Sequence, residues 1–478
     1  MASLPLPRGH AHFPEWAVVA LCAALAGVGI GAAAVFTNPL FLVAGVGGAL
    51  VAAWGIADLR RALFLLVVVI GVLPRFALPV RFVFTPTFLD LALIGVWVAW
   101  VLRPMLGKPA LPLQRFPITL PLLALVLVAV ITFVIGLPNG ALTPLVLRRF
   151  VELLLSLLSV LLLASVIAQA GLERLVVRLV VLIGGLSALI GIALYLIPDD
   201  LAIRALSALR PFGYPTGPEV LRFIRDDPAL MQRATGLWID PNAFGGFLLV
   251  VGAIGLPQAF ARRPLLPRGV VVLCLAAIVL ALGLTVSRGA MLAFAAAAAL
   301  VGMLRYRSVL ALLALGIGLV LVLPQTRDLV VHFVEGFQGR DLATQMRFGE
   351  YKDALRLIER YPLFGVGFIS TPDVDLYIGV SSMYLLIAQQ MGLVGLLAFA
   401  GVILVLFAYA ARAWRSAAQD DARAAIFLGA HAAVVGVLIG GIFDHYFFNI
   451  DFHNAVMLFC LALALAAASQ QTHTPCAR

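Results

Sequence analysis

The chain has few charged residues and few cysteines, and these shortages exclude several classes of protein. Charged residues make up 12% of the 478 positions, too few for a separate soluble domain of useful size. The 4 cysteines have no metal-ligand spacing, so neither a zinc site nor a disulfide framework is expected. The sequence contains no Walker motif, no His/Glu metal cluster and no GxSxG elbow, which argues against chemistry driven by bound ATP.

Apolar segments dominate the chain from end to end. Hydrophobic residues make up 63% of the sequence, and the mean hydropathy is +1.09. A membrane-spanning helix needs about 20 apolar residues, and we predict about 14 such helices. Their centres are predicted near positions 25, 48, 68, 93, 127, 160, 188, 252, 278, 297, 315, 396, 434 and 462. The sequence thus predicts an all-α polytopic integral membrane protein, with residues 1–478 forming a single membrane domain.

Two long loops are predicted on the outer face of the membrane, at 198–241 and 324–382. The first is rich in proline and glycine and leads into a helix that either Asp240 or Asn242 is expected to cap. The second is expected to contain an amphipathic helix, because Tyr351, Leu355 and Ile358 recur at helical spacing, followed by a lid. Pro362 is expected to stop that helix.

The distribution of positive charge predicts the orientation of the chain. Arginine-bearing links alternate with apolar segments as the positive-inside rule requires, which places both termini in the cytoplasm. Flanking cations of this kind, together with anionic lipid, explain the net charge of +10 better than nucleic acid does. Several arginines break the rule by lying at outer helix ends: Arg75, Arg81, Arg148, Arg149 and Arg288. Cations on this side predict an anionic ligand at the outer face.

Four short motifs follow one another between Arg233 and Gly395. They are Arg233-x-x-Gly236 with Asp240-Pro241-Asn242; Thr285-Val-Ser287-Arg288-Gly289; Arg347-x(8)-Arg356 with Tyr361-Pro-Leu-Phe-Gly365-Val-Gly367; and Ser381-Ser-Met-Tyr384-Leu with Gly392 and Gly395. In this order, on a polytopic chain with a large outer loop, they resemble the O-antigen ligase and Wzy-type polymerase superfamily. The first two hundred residues resemble it in hydropathy alone.

The resemblance implies a GT-C-like membrane glycosyltransferase of the bacterial cytoplasmic membrane, with its active site facing the periplasm. Its donor would be an oligosaccharide on undecaprenyl diphosphate, and its acceptor a sugar hydroxyl on a second glycan. No cofactor and no metal are implied. Membrane lipid is an expected partner, a chain-length regulator is a candidate partner, and nucleic acid is not expected.

The arginines themselves suit such a donor. A diphosphate leaving group gains negative charge as the glycosidic bond breaks, and guanidinium groups stabilise it through paired, charge-assisted hydrogen bonds. Arg288 lies in a tight outer hairpin between apolar helices, where a charge is costly unless it has a function. The alternatives are snorkelling to lipid headgroups, solvation of a loop helix, or an ion pair with Glu152. The candidate diphosphate-binding residues are Arg288, Arg233, Arg347, Arg149 and Arg356.

The sequence departs from the resemblance at one position. The ligases carry a histidine where this chain has Ser381, and a hydroxyl is a poor base at neutral pH. A replacement base is sought among outer-face acids and histidines, with Asp444 and His445 equally well explained as a structural pair. The candidate catalytic residues are Asp375, Asp373, Glu350 and Ser381. The candidate substrate-binding residues are Asn242, Gln389, Tyr384 and His445.

Three functions remain open from the sequence. A polymerase would join lipid-linked repeats, and a ligase would move the glycan to lipid A-core or another acceptor. A secondary transporter or flippase belongs to a different class, and it would need ionisable groups near mid-membrane and an inverted repeat. We find neither of these features, so the sequence favours an outer-face enzyme, with polymerisation preferred.

Overall fold

The computed structural model describes residues 39–79, 84–324, 327–372, 376 and 379–471. The first predicted apolar segment, Arg81, Asp373 and Asp375 lie outside these ranges. Over the described ranges the chain forms sixteen α-helices. In chain order they are α1 (Pro39–Ile56), α2 (Leu59–Val72), α3 (Phe88–Leu102), α4 (Thr119–Ile135), α5 (Pro144–Ala170), α6 (Glu173–Leu196), α7 (Asp199–Ser207), α8 (Pro241–Phe260), α9 (Arg268–Leu284), α10 (Arg288–Leu304), α11 (Ser308–Val322), α12 (Arg327–Phe337), α13 (Leu342–Arg360), α14 (Met383–Ala417), α15 (Asp421–Phe443) and α16 (His453–Ser469).

Every predicted centre from 48 to 462 falls on one of these helices. Five of them, α5, α6, α8, α14 and α15, are long and apolar enough to cross a membrane. Several shorter apolar helices of 10–17 residues accompany them. The all-α expectation is therefore confirmed, and the described β structure is limited to short pairings, chiefly β1 (Arg222–Phe223) with β2 (Gln232–Arg233). The number of about 14 spans stays a prediction.

The chain divides into two compact units: residues 1–66 with 91–112, and residues 67–90 with 113–478. Within the smaller unit, Asp58 accepts a hydrogen bond from the backbone N–H of Arg60 at 2.7 Å. The same carboxylate pairs with the Lys108 ammonium at 3.2 Å. These contacts hold the segment after α3 against the start of α2. The expectation of a single domain over 1–478 stays a prediction.

Helix α8 is the packing centre of the larger unit, with α6, α9, α10 and α15 against it. Small residues allow these helices to pack closely against α8. A Cβ at Gly246 would collide with the ring of Tyr446, and one on Gly429 of α15 would collide with the backbone of Ile254. Lipid is as apolar as the helices, so close van der Waals packing across small residues drives helix association. This packing fixes the position of the first turn of α8.

Two helix boundaries at the long loops were predicted, the cap of α8 and the end of α13. Asp240 Oδ1 accepts hydrogen bonds from the backbone N–H groups of Asn242 and Ala243, both at 2.8 Å, so it caps α8 as expected. In the second loop, α13 contains the predicted amphipathic helix and ends at Arg360, two residues before Pro362. The start of α13 at Leu342 was not predicted, since the predicted amphipathic spacing begins at Tyr351.

A glycine-dependent junction anchors the end of α13 to the middle of α14. Val366 and Gly367 donate backbone hydrogen bonds to the carbonyls of Gln389 and Gln390, at 3.0 and 2.9 Å. Helix α14 is kinked at Gly392, where φ is 66°, and a Cβ there would collide with the Leu363 carbonyl. Only glycine adopts this backbone at such close approach without strain. The junction therefore fixes α13 relative to α14.

A buried ionic network lies at the start of α5. Arg148 Nη1 is 2.8 Å from Asp90 Oδ2 and 3.3 Å from Glu152 Oε2. His453 Nδ1 lies 3.2 Å from the same oxygen of Glu152, whose side chain is 2% exposed. Charges buried in this way persist when each has a partner. The network joins α3, α5 and α16 in the larger unit.

Candidate functional site

Three of the predicted arginines meet in one cavity of about 230 Å³ in the larger unit. Arg233 comes from β2, Arg288 from the first position of α10, and Arg347 from α13. The end of α15 completes the wall with Asp444. Residues more than a hundred positions apart in sequence therefore converge, as the diphosphate hypothesis requires. The N-termini of α8 and α10 also end here, and helix N-termini favour negative charge.

Arg233 is held by neutral oxygens. Its Nε donates to the backbone carbonyl of Thr285 at 2.9 Å, and its Nη2 donates to Asn242 Oδ1 at 2.7 Å. Burial lowers its pKa to about 10; Asp240 and Asp444 oppose that shift, and Arg347 and Arg288 add to it. The group stays charged at neutral pH. Asn242, predicted to bind substrate, thus orients this arginine at the cavity wall.

Arg288 is held by Asp341, a residue that the sequence did not identify. Arg288 Nη2 lies 2.6 Å from Asp341 Oδ2 and 3.4 Å from Thr344 Oγ1. Burial acts to raise the pKa of Asp341, but hydrogen bonds from Thr344 and Arg288 outweigh it and hold that pKa below its usual value. The carboxylate therefore stays ionised and fixes the guanidinium in the cavity.

Two β-branched residues in the turns that carry Arg233 and Arg288 have a strained backbone. Val286 has φ of 53° and Ile239 has φ of 65°, and both are β-branched residues in a region that such residues avoid. Each conformation costs on the order of 1–3 kcal/mol and persists only where the surrounding structure imposes it. The backbone N–H of Ala234 donates to the carbonyl of Leu284 at 2.8 Å, which joins the two strained segments. The strain coincides with the turns that carry Arg233 and Arg288.

Arg347 faces a carboxylate–imidazole pair. Its Nη2 is 4.0 Å from Asp444 Oδ2, while His445 Nδ1 lies 2.9 Å from Asp444 Oδ1. Burial would raise the pKa of Asp444, but the hydrogen bond and charge of His445, and the charge of Arg347, lower it below its usual value. Burial likewise opposes protonation of His445, yet the pKa of His445 is raised by Asp444, with further contributions from Asp240 and Glu350.

Ser381 and Glu350 lie together beside this pair. The backbone N–H of Ser381 donates to Glu350 Oε2 at 2.8 Å, and the Tyr351 hydroxyl donates to the Ser381 carbonyl at 3.1 Å. The backbone N–H of Met383 then donates to the Asp444 carbonyl at 3.1 Å. Glu350 is therefore engaged in holding the start of α14, and neither Glu350 nor Ser381 lines the arginine cavity.

The other predicted site residues lie elsewhere. Arg149 pairs with Asp451 and lines a second cavity. Arg356 is 61% exposed and lies 3.4 Å from Asp353 on the same helix. The Tyr384 hydroxyl donates to the Leu438 carbonyl at 2.6 Å, and the Gln389 side chain is buried in α14. Over the ranges that the structure describes, no group of three His, Cys, Asp or Glu side chains is arranged to hold a metal ion.

Gly336 of α12 provides a test of where Arg288 must lie. A Cβ at Gly336 would collide with the Arg288 guanidinium, so Gly336→Ala should displace that group without removing its charge. We expect activity to fall roughly 10- to 100-fold, because misplacing a catalytic group by an ångström costs this much. The helix itself should not be weakened, since alanine favours helix by up to about 1 kcal/mol over glycine, so any loss of stability reports the disturbed Arg288–Asp341 pair. Product formation and thermal unfolding of the purified variant are the measurements.

Gly349→Ala on α13 is the matched control, because no atom lies within 4 Å of a Cβ built there. It should leave product formation unchanged. Equal activity of the two variants would mean that the position of Arg288 is unimportant.

The comparison with known families agrees with the motifs. The model of a family described as O-antigen ligase (Wzy_C) matches residues 270–400, a stretch that includes Arg288, Arg347 and Ser381 but neither Arg233 nor Asp444. No curated protein matches the chain. The family implies a lipid-linked glycan and an acceptor as substrates, and with the apolar helices it indicates a membrane protein. The resemblance to the O-antigen ligase and Wzy-type polymerase superfamily is thus confirmed, and the match to the family model covers residues 270–400.

Proposed function

We propose that the protein is a membrane glycosyltransferase that polymerises oligosaccharide repeats carried on undecaprenyl diphosphate. The reaction takes place at the outer face of the cytoplasmic membrane. The observation that carries the proposal is the shared cavity of Arg233, Arg288 and Arg347. Three guanidinium groups beside two helix N-termini suit a diphosphate better than any neutral ligand.

The three arginines of the cavity differ in whether a carboxylate lies beside them. Arg288 and Arg347 each have a carboxylate, Asp341 and Asp444, at 2.6 and 4.0 Å. Arg233 has no carboxylate within ion-pair distance in the part of the chain that the structure describes, and it donates to the neutral oxygens of Thr285 and Asn242. We assign to Arg233 the first contact with the diphosphate, while Asp341 and Asp444 keep the other two guanidinium groups in place.

In the transfer, a hydroxyl oxygen of the acceptor sugar attacks the anomeric carbon of the donor sugar. The bond from that carbon to the diphosphate oxygen breaks, and the lipid diphosphate leaves with its electron pair. Preorganised arginines stabilise the developing charge, which is the effect that contributes most at such sites. The hydroxyl proton passes to the Asp444–His445 pair, whose carboxylate lines the same cavity. Asp373 and Asp375 stay predictions for this role.

A ligase is the second candidate, because the matching family is described by that activity. A ligase would use the same diphosphate cavity and a different acceptor. Ser381 argues against it, since the resembling ligases carry histidine at that position. The ligase and the polymerase thus share the proposed donor site and differ in the acceptor.

One experiment separates the two candidates. The purified full chain is incubated with undecaprenyl-diphosphate oligosaccharide as the sole substrate. A ladder of longer products is the expected result for a polymerase. Products that appear only after lipid A-core or another acceptor is added would identify a ligase. Solute uptake by proteoliposomes without any glycan transfer would instead support a transporter.

A further inference from the structure

Tyr446 is a polar residue of the arginine cavity that belongs to none of the four motifs. It lines the cavity and lies two residues after Asp444, in the link between α15 and α16. The residue is 2% exposed. The match to the family model ends at residue 400, well before this link. The role of Tyr446 therefore has to be inferred from its own contacts.

The ring of Tyr446 is held firmly in place. It packs against the ring of Phe447, with 4.5 Å between the two centroids, and Phe447 is itself fully buried. The backbone N–H groups of Phe448 and Asn449 both donate to the His445 carbonyl at 3.1 Å, which closes the turn that carries the ring. A side chain fixed in this way loses little conformational freedom when a ligand binds to it.

Gly246 of α8 leaves the space that the phenol occupies. A Cβ built at Gly246 would lie 2.6 Å from the Tyr446 hydroxyl oxygen. Asn242 precedes Gly246 by four residues, so the two positions share one face of α8. Asn242 lines the cavity and orients Arg233. The hydroxyl thus lies one helical turn from the residue that positions Arg233.

The Tyr446 hydroxyl makes no hydrogen bond to any residue that the structure describes. It differs in this respect from the hydroxyls of Tyr214, Tyr351 and Tyr384, each of which donates to a backbone carbonyl. Nor is its oxygen one of the unpaired polar atoms that the described part of the protein encloses completely. Since Tyr446 lines the arginine cavity, its hydroxyl is free to contact a ligand there.

The surroundings of Tyr446 keep its hydroxyl protonated. Burial raises the pKa of Tyr446 well above its usual value, Asp444 and Asp240 raise it further, and Arg347 acts in the opposite direction. A protonated phenol can donate a hydrogen bond, and ionised oxygens are the strongest acceptors. The arginines of the same cavity attract an anion to it. An ionised oxygen is therefore the partner that suits this hydroxyl best.

We propose that the Tyr446 hydroxyl is a fourth donor to the diphosphate, beside the three arginines. The inference rests on the proposed function, because it takes a diphosphate as the ligand of this cavity. In the transfer, the phenol donates to an oxygen of the leaving diphosphate, whose negative charge grows as the glycosidic bond breaks. The phenol keeps its proton throughout. The proton of the acceptor hydroxyl still passes to the Asp444–His445 pair.

Tyr446→Phe tests the proposal, because it removes the hydroxyl and keeps a ring against Phe447. In titration calorimetry, the purified full-length variant should bind inorganic pyrophosphate and undecaprenyl diphosphate about 10-fold more weakly, the loss of one hydrogen bond to a charged group. Polymer formation at saturating substrate should fall by about 10- to 100-fold, since the bond strengthens as charge develops. Thermal unfolding should be unchanged.

Tyr409→Phe is the matched control, because Tyr409 is 42% exposed near the far end of α14 and lies outside the cavity. It should bind diphosphate and polymerise as the unaltered protein does. The pH profile of polymer formation provides a further readout. Tyr446→Phe should lower the rate without shifting that profile, because the Asp444–His445 pair takes the proton. A shifted profile would mean that the hydroxyl acts through that pair, and it would overturn the inference.

Arg288→Ala keeps the two proposals distinguishable. Loss of diphosphate binding in Arg288→Ala, with normal binding and polymerisation in Tyr446→Phe, would overturn the inference about Tyr446 and leave the proposed function standing. If the unaltered protein binds neither pyrophosphate nor undecaprenyl diphosphate and forms no polymer, the proposed function fails and the inference fails with it.

Discussion

Arg288→Ala and Arg233→Ala are each expected to abolish detectable polymer while the protein still inserts and folds. Arg288 and Arg233 line the cavity assigned to the diphosphate, and removing one preorganised donor typically costs about 100- to 1,000-fold in rate. The lysine replacements should retain part of the activity, because they keep the charge but lose the paired geometry of a guanidinium. The length and amount of product on a gel are the measurements.

Arg204→Ala is the control for these variants, since Arg204 is an exposed arginine of the first long loop outside the cavity. It should polymerise normally. Full activity in both Arg288→Ala and Arg233→Ala would remove the diphosphate proposal, whatever the behaviour of the control.

Arg148→Ala is expected to destabilise the fold by about 3–5 kcal/mol, the usual cost of leaving a buried charge without its partner. Its guanidinium lies between Asp90 and Glu152, and the side chains of Arg148 and Glu152 are 9% and 2% exposed. Both carboxylates would stay buried after the substitution. Unfolding in detergent, followed by temperature and by denaturant, measures the loss.

Arg149→Ala is the matched control, because it removes the neighbouring arginine from a partly exposed pair. Arg149 and its partner Asp451 are 30% and 49% exposed. Exposed pairs contribute about 0–1 kcal/mol, so this variant should unfold close to the unaltered protein. Equal destabilisation by the two variants would show that burial does not govern the network.

The positions of the apolar helices could be predicted because a run of apolar residues marks each of them in the sequence. Their lengths were less predictable, since caps, Pro and Gly near segment ends decide where hydrogen bonding stops. A helix of 17 residues such as α9 is about 26 Å long, shorter than the roughly 30 Å hydrocarbon core of a bilayer. Five helices reach full spanning length by composition, and the shorter ones follow the predicted centres without confirming the predicted number.

The arginine cavity was predicted in part, for a physical reason that particular residues illustrate. Arg233 and Arg288 belong to motifs near helix starts, so hydropathy predicted the level of the membrane at which they lie. Asp341 lies 53 positions from Arg288, and their ion pair exists only after α12 and α13 fold back over α10. The start-of-helix position of Asp341 before α13 was the one available sequence signal.

Arg149 shows that the depth of a residue in the membrane is not enough to predict its partners. Arg148 and Arg149 occupy the same level of the membrane, yet neighbouring positions on a helix differ by about 100° in direction. Arg148 therefore meets the buried carboxylates and Arg149 meets Asp451 in the second cavity. Hydropathy gives the level of a residue but not the side of the helix on which it lies.

The first turn of α8 is shared by both cavities. Asn242 borders the arginine cavity and Ala243 borders the second one, although the two residues are adjacent in sequence. Gly246, about one turn further along, packs against the ring of Tyr446, which also lines the arginine cavity. A substitution that moves this turn would therefore change the shape of both cavities at once.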